Sequence, residues 1–142
     1  MRSAEYPEPE TDMGGNSTDL KARTKAFSVR IVRLVDSLPR RRSCEVIGHQ
    51  LLKSATSVGA NYRSACRGRS RAEFMAKLGI VEEESDESAF WMELLVEAGV
   101  VKQEMLADLI REANEITAMT VASIKTARAK SKAARAAKAG AV

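Results

Sequence analysis

The amino-acid sequence predicts an all-α protein, an antiparallel up-down four-helix bundle, and three observations lead there. Proline occurs only at positions 7, 9 and 39, so the chain from residue 40 onward contains no helix breaker. Four segments repeat apolar or small residues at alternating spacings of three and four, the mark of a helix with one buried stripe. The links between them are short, which makes successive helices antiparallel neighbours.

The first helix is expected from Asp19 to Leu38, with Leu20, Thr24, Phe27, Ile31, Leu34 and Leu38 in register, Thr18 as cap and Pro39 as stop. The second is expected from Ser43 to Arg67 on Ile47, Leu51, Ser54, Val58, Asn61 and Ala65. The third runs from Arg71 to Ala98 on Phe74, Leu78, Val81, Ser85, Ser88, Met92 and Leu95, and stops at Gly99. The fourth starts at Gln103 and carries Leu106, Ile110, Ala113, Thr117, Thr120 and Ile124. Residues 1–17 are acidic, aperiodic and contain proline and glycine, so they are expected to form a disordered tail. Residues 18–128 form the bundle domain, and 129–142 a basic, alanine-rich tail able to extend the last helix into solvent. From Lys125 onward the chain carries six Lys or Arg and no acid.

The stretch SATSVGANYRSACRGRS, residues 54–70, is rich in serine, glycine and arginine, but it lacks the spacings GxxxxGK[ST] and GxGxxG of phosphate loops. It reads instead as a helix end and a corner. Gly68 falls where a left-handed C-terminal residue is expected, and Ser70 with Glu73 makes an S-x-x-E capping box for the next helix. Along the inward face of the second helix the residues are polar: Ser54 and Asn61 on the stripe, Gln50 and Ser57 on its shoulder, opposite Ser85 and Ser88 of the third helix. Small residues facing each other allow close helix approach. A buried Asn61 or Gln50 needs a partner or costs about 1–3 kcal/mol, and both are expected to bond toward the third helix as a polar seam that fixes register.

The segment QLLKSATSVGANYRSACRGRSRAEFMAKLGIVEEESDESAFWMELLVE resembles the four-helix bundle proteins of the 23S rRNA intervening-sequence family. The elements that carry the resemblance are Gln50, Ser57 with Val58 and Asn61, Ser70, Phe74, and the acidic stretch from Glu82 to Glu93. It spans about residues 19–128. The resemblance implies a small bundle assembling as a homopentamer, with no known catalytic activity. It further implies a relative in the accessory protein of diversity-generating retroelements, where a basic bundle barrel works with nucleic acid and a reverse transcriptase. After Asn61, where many members have a Glu-Gly pair, this chain reads YRSACRGR.

Two arginine clusters are candidate phosphate contacts. Arg63 and Arg67 share the outward face of the second helix, and Arg69 and Arg71 continue the cluster through the corner. Arg40, Arg41 and Arg42 form the other cluster in the first link, at the opposite end of an up-down bundle. Lys125 and Arg128 add candidates on the fourth helix. Solvated arginines are the plainer reading of such clusters, because no aromatic stacking platform interleaves with them.

On the third helix, Ile80, Glu83, Glu87, Phe90 and Leu94 make a second, partly apolar face opposite the core stripe, a candidate oligomer interface. The acids from Glu82 to Glu87 lack the Glu-x-x-His pairs of a di-metal bundle site, and the sole histidine, His49, projects outward, so no metal or other cofactor is expected. No nucleophile, base and orienting group come together, which argues against an enzyme. Cys44 and Cys66 lie about 33 Å apart along one helix, too far to bridge within a chain. With no 18-residue apolar run and no signal-peptide stretch, the expected location is the cytoplasm, away from membranes. Net charge +4 and pI about 9.3, with the arginine clusters and the basic tail, favour association of such a homo-oligomer, implied by the resemblance and the second face of the third helix, with RNA or DNA. The alternative is a protein-interaction scaffold whose charges serve subunit contacts.

Overall fold

Helices form where the three-and-four repeat runs, and they stop where a residue cannot continue it. The computed structural model describes residues 17–140, and among these it places four helices and no strand: α1 (Ser17–Ser37), α2 (Arg42–Cys66), α3 (Arg71–Glu97) and α4 (Gln103–Gly140). The acidic tail expected to be disordered lies, up to residue 16, outside the described residues. Because α1 opens at Ser17, Thr18 lies inside the helix and is not its cap. Pro39 follows the end of α1, as expected of a residue without an N–H.

The chain runs as an antiparallel up-down bundle in the order α1, α2, α3, α4, with sequential helices as the close neighbours and α1 meeting α4 only sparsely. Phe27, Ile31, Leu51, Val58, Leu78, Met92, Leu95, Leu106 and Ile116 form the centre of one continuous core. The open edge between α1 and α4 is bridged by long side chains. Arg23 pairs with Glu112 and Glu115, and its Nη1 reaches the Met119 sulfur at 3.2 Å, while Arg30 meets Asp108 at 2.6 Å. Glu112 and Glu115 raise the Arg23 pKa, and Arg111 together with Arg30 holds the Asp108 carboxyl below the usual carboxylate range.

The buried stripe of α2 differs from the expected one. Its buried residues are Cys44, Gly48, Leu51, Ser54, Ala55, Val58, Tyr62 and Ala65, while Ile47 and Asn61 are half-buried. The reason is that α2 has two neighbours and needs a wide stripe. Gly48 faces Val35 of α1 and Leu38 just after it, and the Ala55 carbonyl lies 2.7 Å from the Ser28 hydroxyl, so this side belongs to α1. Ser54 belongs to the α3 side, where its Oγ accepts from Ser88 Oγ at 3.0 Å.

That hydroxyl contact continues outward along the bundle. Ser88 also lies 2.8 Å from the Glu84 carbonyl, and one turn away Ser85 meets Thr117 of α4 at 2.7 Å. Each hydroxyl can also return to its own helix at an i−3 or i−4 carbonyl, so the seam satisfies itself. Among the described residues no buried side-chain polar atom lacks a hydrogen bond. Asn61 and Gln50, in contrast, do not bond toward α3. The Asn61 amide donates to the Ser57 carbonyl and lies 2.8 Å from its hydroxyl, all within α2, and Gln50 is half-buried. Rotation of the stripe toward α1 takes Asn61 to the shoulder of the helix, where Gln50 already lies and where Ser57 one turn back serves the Asn61 amide.

The left-handed residue is also elsewhere than expected. Gly68 does not adopt a positive φ; Gly99, after α3, has φ 71° and lets the Val100 and Val101 N–H groups return to the Leu95 carbonyl. Glycine at position 68 answers a different need, because a Cβ there would sit 3.1 Å from the Ala65 carbonyl and 3.2 Å from the Phe74 nitrogen. No helix among the described residues is long and apolar enough to cross a membrane.

Candidate nucleic-acid interface

The turn between α2 and α3 is compact because every step of it is bonded. The Arg67 and Gly68 N–H groups donate to the Ser64 and Ala65 carbonyls at 3.1 and 3.0 Å, and the chain then extends at Ser70 (φ −142°, ψ 161°). Ser70 Oγ accepts from the Glu73 N–H at 3.1 Å, while the Glu73 carboxylate accepts from the Arg69 N–H at 2.8 Å. This is a capping box whose return bond is shifted by one residue. Glu73, the one acid at the corner, is therefore committed to the backbone.

Around this corner an open groove of about 590 Å³ lies between α2 and α3, lined by Arg63, Arg67, Arg69, Lys77, Glu73 and small residues. Arg63, Arg67, Arg69 and Arg71 are exposed, and none of them, nor Lys77, takes part in an ion pair among the described residues. All four ion pairs of the chain's described part lie instead on α1 and α4. The N-terminus of α3 opens at the same corner and adds its favourable dipole for an anion. Lys77 escapes a reading of arginine clusters, yet its four-residue spacing places it one turn beyond Glu73 on the same face of α3.

The remaining candidates distribute as follows. Arg40, Arg41 and Arg42 are exposed in the α1–α2 link at the far end of the bundle, and Arg41 precedes α2 without a side-chain cap bond. Lys125 and Arg128 are exposed on α4 near the level of the α2–α3 corner. The structure thus brings Arg63, Arg67, Arg69 and Arg71 to one end and leaves Arg40–Arg42 at the other.

On the outer side of α3, Phe90 is 52% exposed and stacks edge-on against Trp91, with ring centroids 5.0 Å apart. Leu94, one turn on, and Ile80, nearer the start of α3, are half-buried, and Glu83 and Glu87 are exposed. The Trp91 Nε1–H donates to Glu87 at 3.3 Å. Partial burial, together with the neighbouring Glu87 and Glu83, raises the Glu84 pKa. His49 is exposed, and among the described residues no three His, Cys, Asp or Glu side chains gather within reach of one metal ion. Cys44 is buried and Cys66 exposed at opposite ends of α2, and both are free thiols. Tyr62, one turn before Cys66, has its hydroxyl pKa raised chiefly by burial.

Bundle, hydroxyl seam and arginine corner define a small all-α protein with an uncompensated basic end. The chain belongs to the 23S rRNA-intervening sequence protein family, whose model matches residues 17–122. Among solved structures it is similar to a protein of unknown function from the S23 ribosomal protein family of Bacteroides thetaiotaomicron. The two share 34% sequence identity over 77% of this chain and 97% of that one, with a TM-score of 0.72. No curated protein matches the chain.

Proposed function

We propose that this chain is a non-catalytic, cytoplasmic homo-oligomer that associates with nucleic acid, as RNA or a ribonucleoprotein, through the α2–α3 corner. One observation carries this reading: Arg63, Arg67, Arg69 and Lys77 converge on an open groove whose single acid is held by the backbone. Phosphate oxygens are the partners such a set of free cations fits, and the affinity they give is electrostatic and salt-dependent. The family's description, which refers to intervening sequences of 23S rRNA, supports RNA as the partner class. Oligomerisation, as a pentamer by the family resemblance, repeats the corner in every subunit. Repeated weak phosphate contacts then sum to useful avidity. The outer face of α3 with Ile80, Phe90 and Leu94 supplies the subunit contact.

The test is the double variant Arg63→Gln, Arg67→Gln, scored for assembly by light scattering and for RNA binding across salt concentrations. The expected result is intact assembly with weakened binding, and a slope of log affinity against log salt shallower by about 1.4–1.8 for two lost phosphate contacts. Broken assembly instead means that the arginines pair across subunits with acids such as Glu83 and Glu87, and the chain is a protein-interaction scaffold.

A further inference from the structure

The family match stops at residue 122, yet α4 continues without interruption to Gly140. The Ser85–Thr117 contact sets the level of α3 against α4. Since Arg71 lies as far before Ser85 as Ser131 lies beyond Thr117, α4 passes the α2–α3 corner near Ser131. Ala127 is its last buried residue, and every residue from Lys132 to Gly140 is exposed. The helix therefore projects about 14 Å past the basic corner, at the same end of the molecule.

Its composition is unlike the rest of the chain. Lys125, Arg128, Lys130, Lys132, Arg135 and Lys138 are six of the chain's 23 Lys and Arg, against 19 acids in total; without them the net charge of +4 becomes −2. The chain's positive balance resides in this arm. Alanine, lysine and arginine sustain a helix without tertiary support, but like charges at i, i+4, as in Arg128 and Lys132, repel each other. No acid is present to relieve them, so the arm gains by meeting an anion. Lys125, Arg128, Lys132 and Arg135 recur at spacings of three, four and three, within about 80° of the helix circumference and over about 15 Å.

The kind of anion follows from what accompanies the charges. A membrane-surface helix needs an apolar face with Trp, Phe or Leu, and this arm has only alanine, one serine and one threonine between its cations. A single-strand platform needs aromatic rings for base stacking, and the arm has none; at the corner Tyr62 is buried and Phe74 half-buried. Regularly spaced cations without stacking groups match the phosphate backbone of a duplex.

We infer that the C-terminal part of α4, from Lys125 to Lys138, is an arm that binds the phosphate backbone of double-stranded nucleic acid, continuing the surface of the α2–α3 corner. This rests on the nucleic-acid reading above. The test uses the full chain and the variant Lys125→Gln, Arg128→Gln, Lys132→Gln, Arg135→Gln, in which glutamine keeps the helix, as far-UV circular dichroism verifies. Both are titrated over a range of salt with a mixed-sequence RNA duplex, the DNA duplex of the same length, a single strand, and phosphatidylcholine–phosphatidylserine vesicles. The expected result is duplex binding by the full chain that the variant weakens at least about tenfold, with a salt slope shallower by about 3–4. The duplex bound more tightly identifies its source as RNA or DNA. Unchanged duplex affinity in the variant, with loss in Arg63→Gln, Arg67→Gln, overturns the arm and leaves the corner standing. Absence of any nucleic-acid binding by the full chain at low salt overturns the nucleic-acid reading itself. Tighter binding to the single strand, or to vesicles through the same four cations, overturns the duplex assignment.

Discussion

Replacing Gly59 with leucine is expected to destabilise the bundle by about 3 kcal/mol, or roughly 10 °C in Tm, the largest single-residue effect foreseen here. At Gly59, α2 approaches α1 closely. A Cβ at this position meets the Ser28 hydroxyl at 2.7 Å, the Thr24 carbonyl at 3.3 Å and the Lys25 Cα at 3.6 Å. The hydroxyl could swing away only by giving up the Ala55 carbonyl across the interface, and the other two atoms are backbone. Leucine therefore forces the helices apart, and the core around Phe27 and Val58 loses contacts with them. Gly79 is the internal control. Nothing lies within 4 Å of a Cβ there, so Gly79→Ala is expected to stabilise by about 0.5–1 kcal/mol through helix propensity. Equal effects at the two glycines, read by thermal unfolding, would contradict the close α1–α2 approach.

Replacing Phe90 or Leu94 with aspartate is expected to yield smaller species in solution with helical content unchanged. Both residues stand on the side of α3 away from the chain's own core, and Phe90 keeps half its surface exposed, so a charge there costs little in an isolated subunit. In a subunit contact each loses burial worth about 1.5–3 kcal/mol, and association weakens about 10- to 100-fold per contact. Light scattering over a concentration series reads this directly. An unchanged mass at every concentration would remove the outer face of α3 from the interface.

Much of the bundle was legible in the sequence because burial on a helix repeats at three and four residues. Leu20, Thr24, Phe27 and Ile31 on α1, and the stripe from Leu78 to Leu95 on α3, are buried where their spacing places them. On α2 the same rule left two of the six stripe positions one residue out and missed the width of the stripe. Gly48 and Tyr62 face the core, where Ile47 and Asn61 had been expected, and Ala55 joins the buried Ser54, because hydropathy undervalues small residues and an amphipathic tyrosine ring. The glycine in the corner was recognised as special for the wrong reason. Gly68 is needed for close approach, a property of the turn's packing, whereas the left-handed conformation belongs to Gly99. The ion pairs from Arg23 and Arg30 to α4 were invisible, since they join residues far apart in sequence across an edge whose sparse packing no local pattern reveals.

For the candidate site, the arginines were visible one by one, but their grouping depends on topology. Lys77 enters the groove through helix geometry. The basic run after Lys125 reads as a tail when taken alone. It becomes part of the same end only because α4 runs antiparallel to α3 and past the corner.

Photo-crosslinking of RNA to the intact chain, followed by mapping of the crosslinked peptides, tests the basic-end assignment most directly. Crosslinks are expected in the segments holding Arg63 to Lys77 and Lys125 to Lys138, weakening together as salt is raised. Crosslinks confined to the Arg40–Arg42 link, at the opposite end of the bundle, would contradict it.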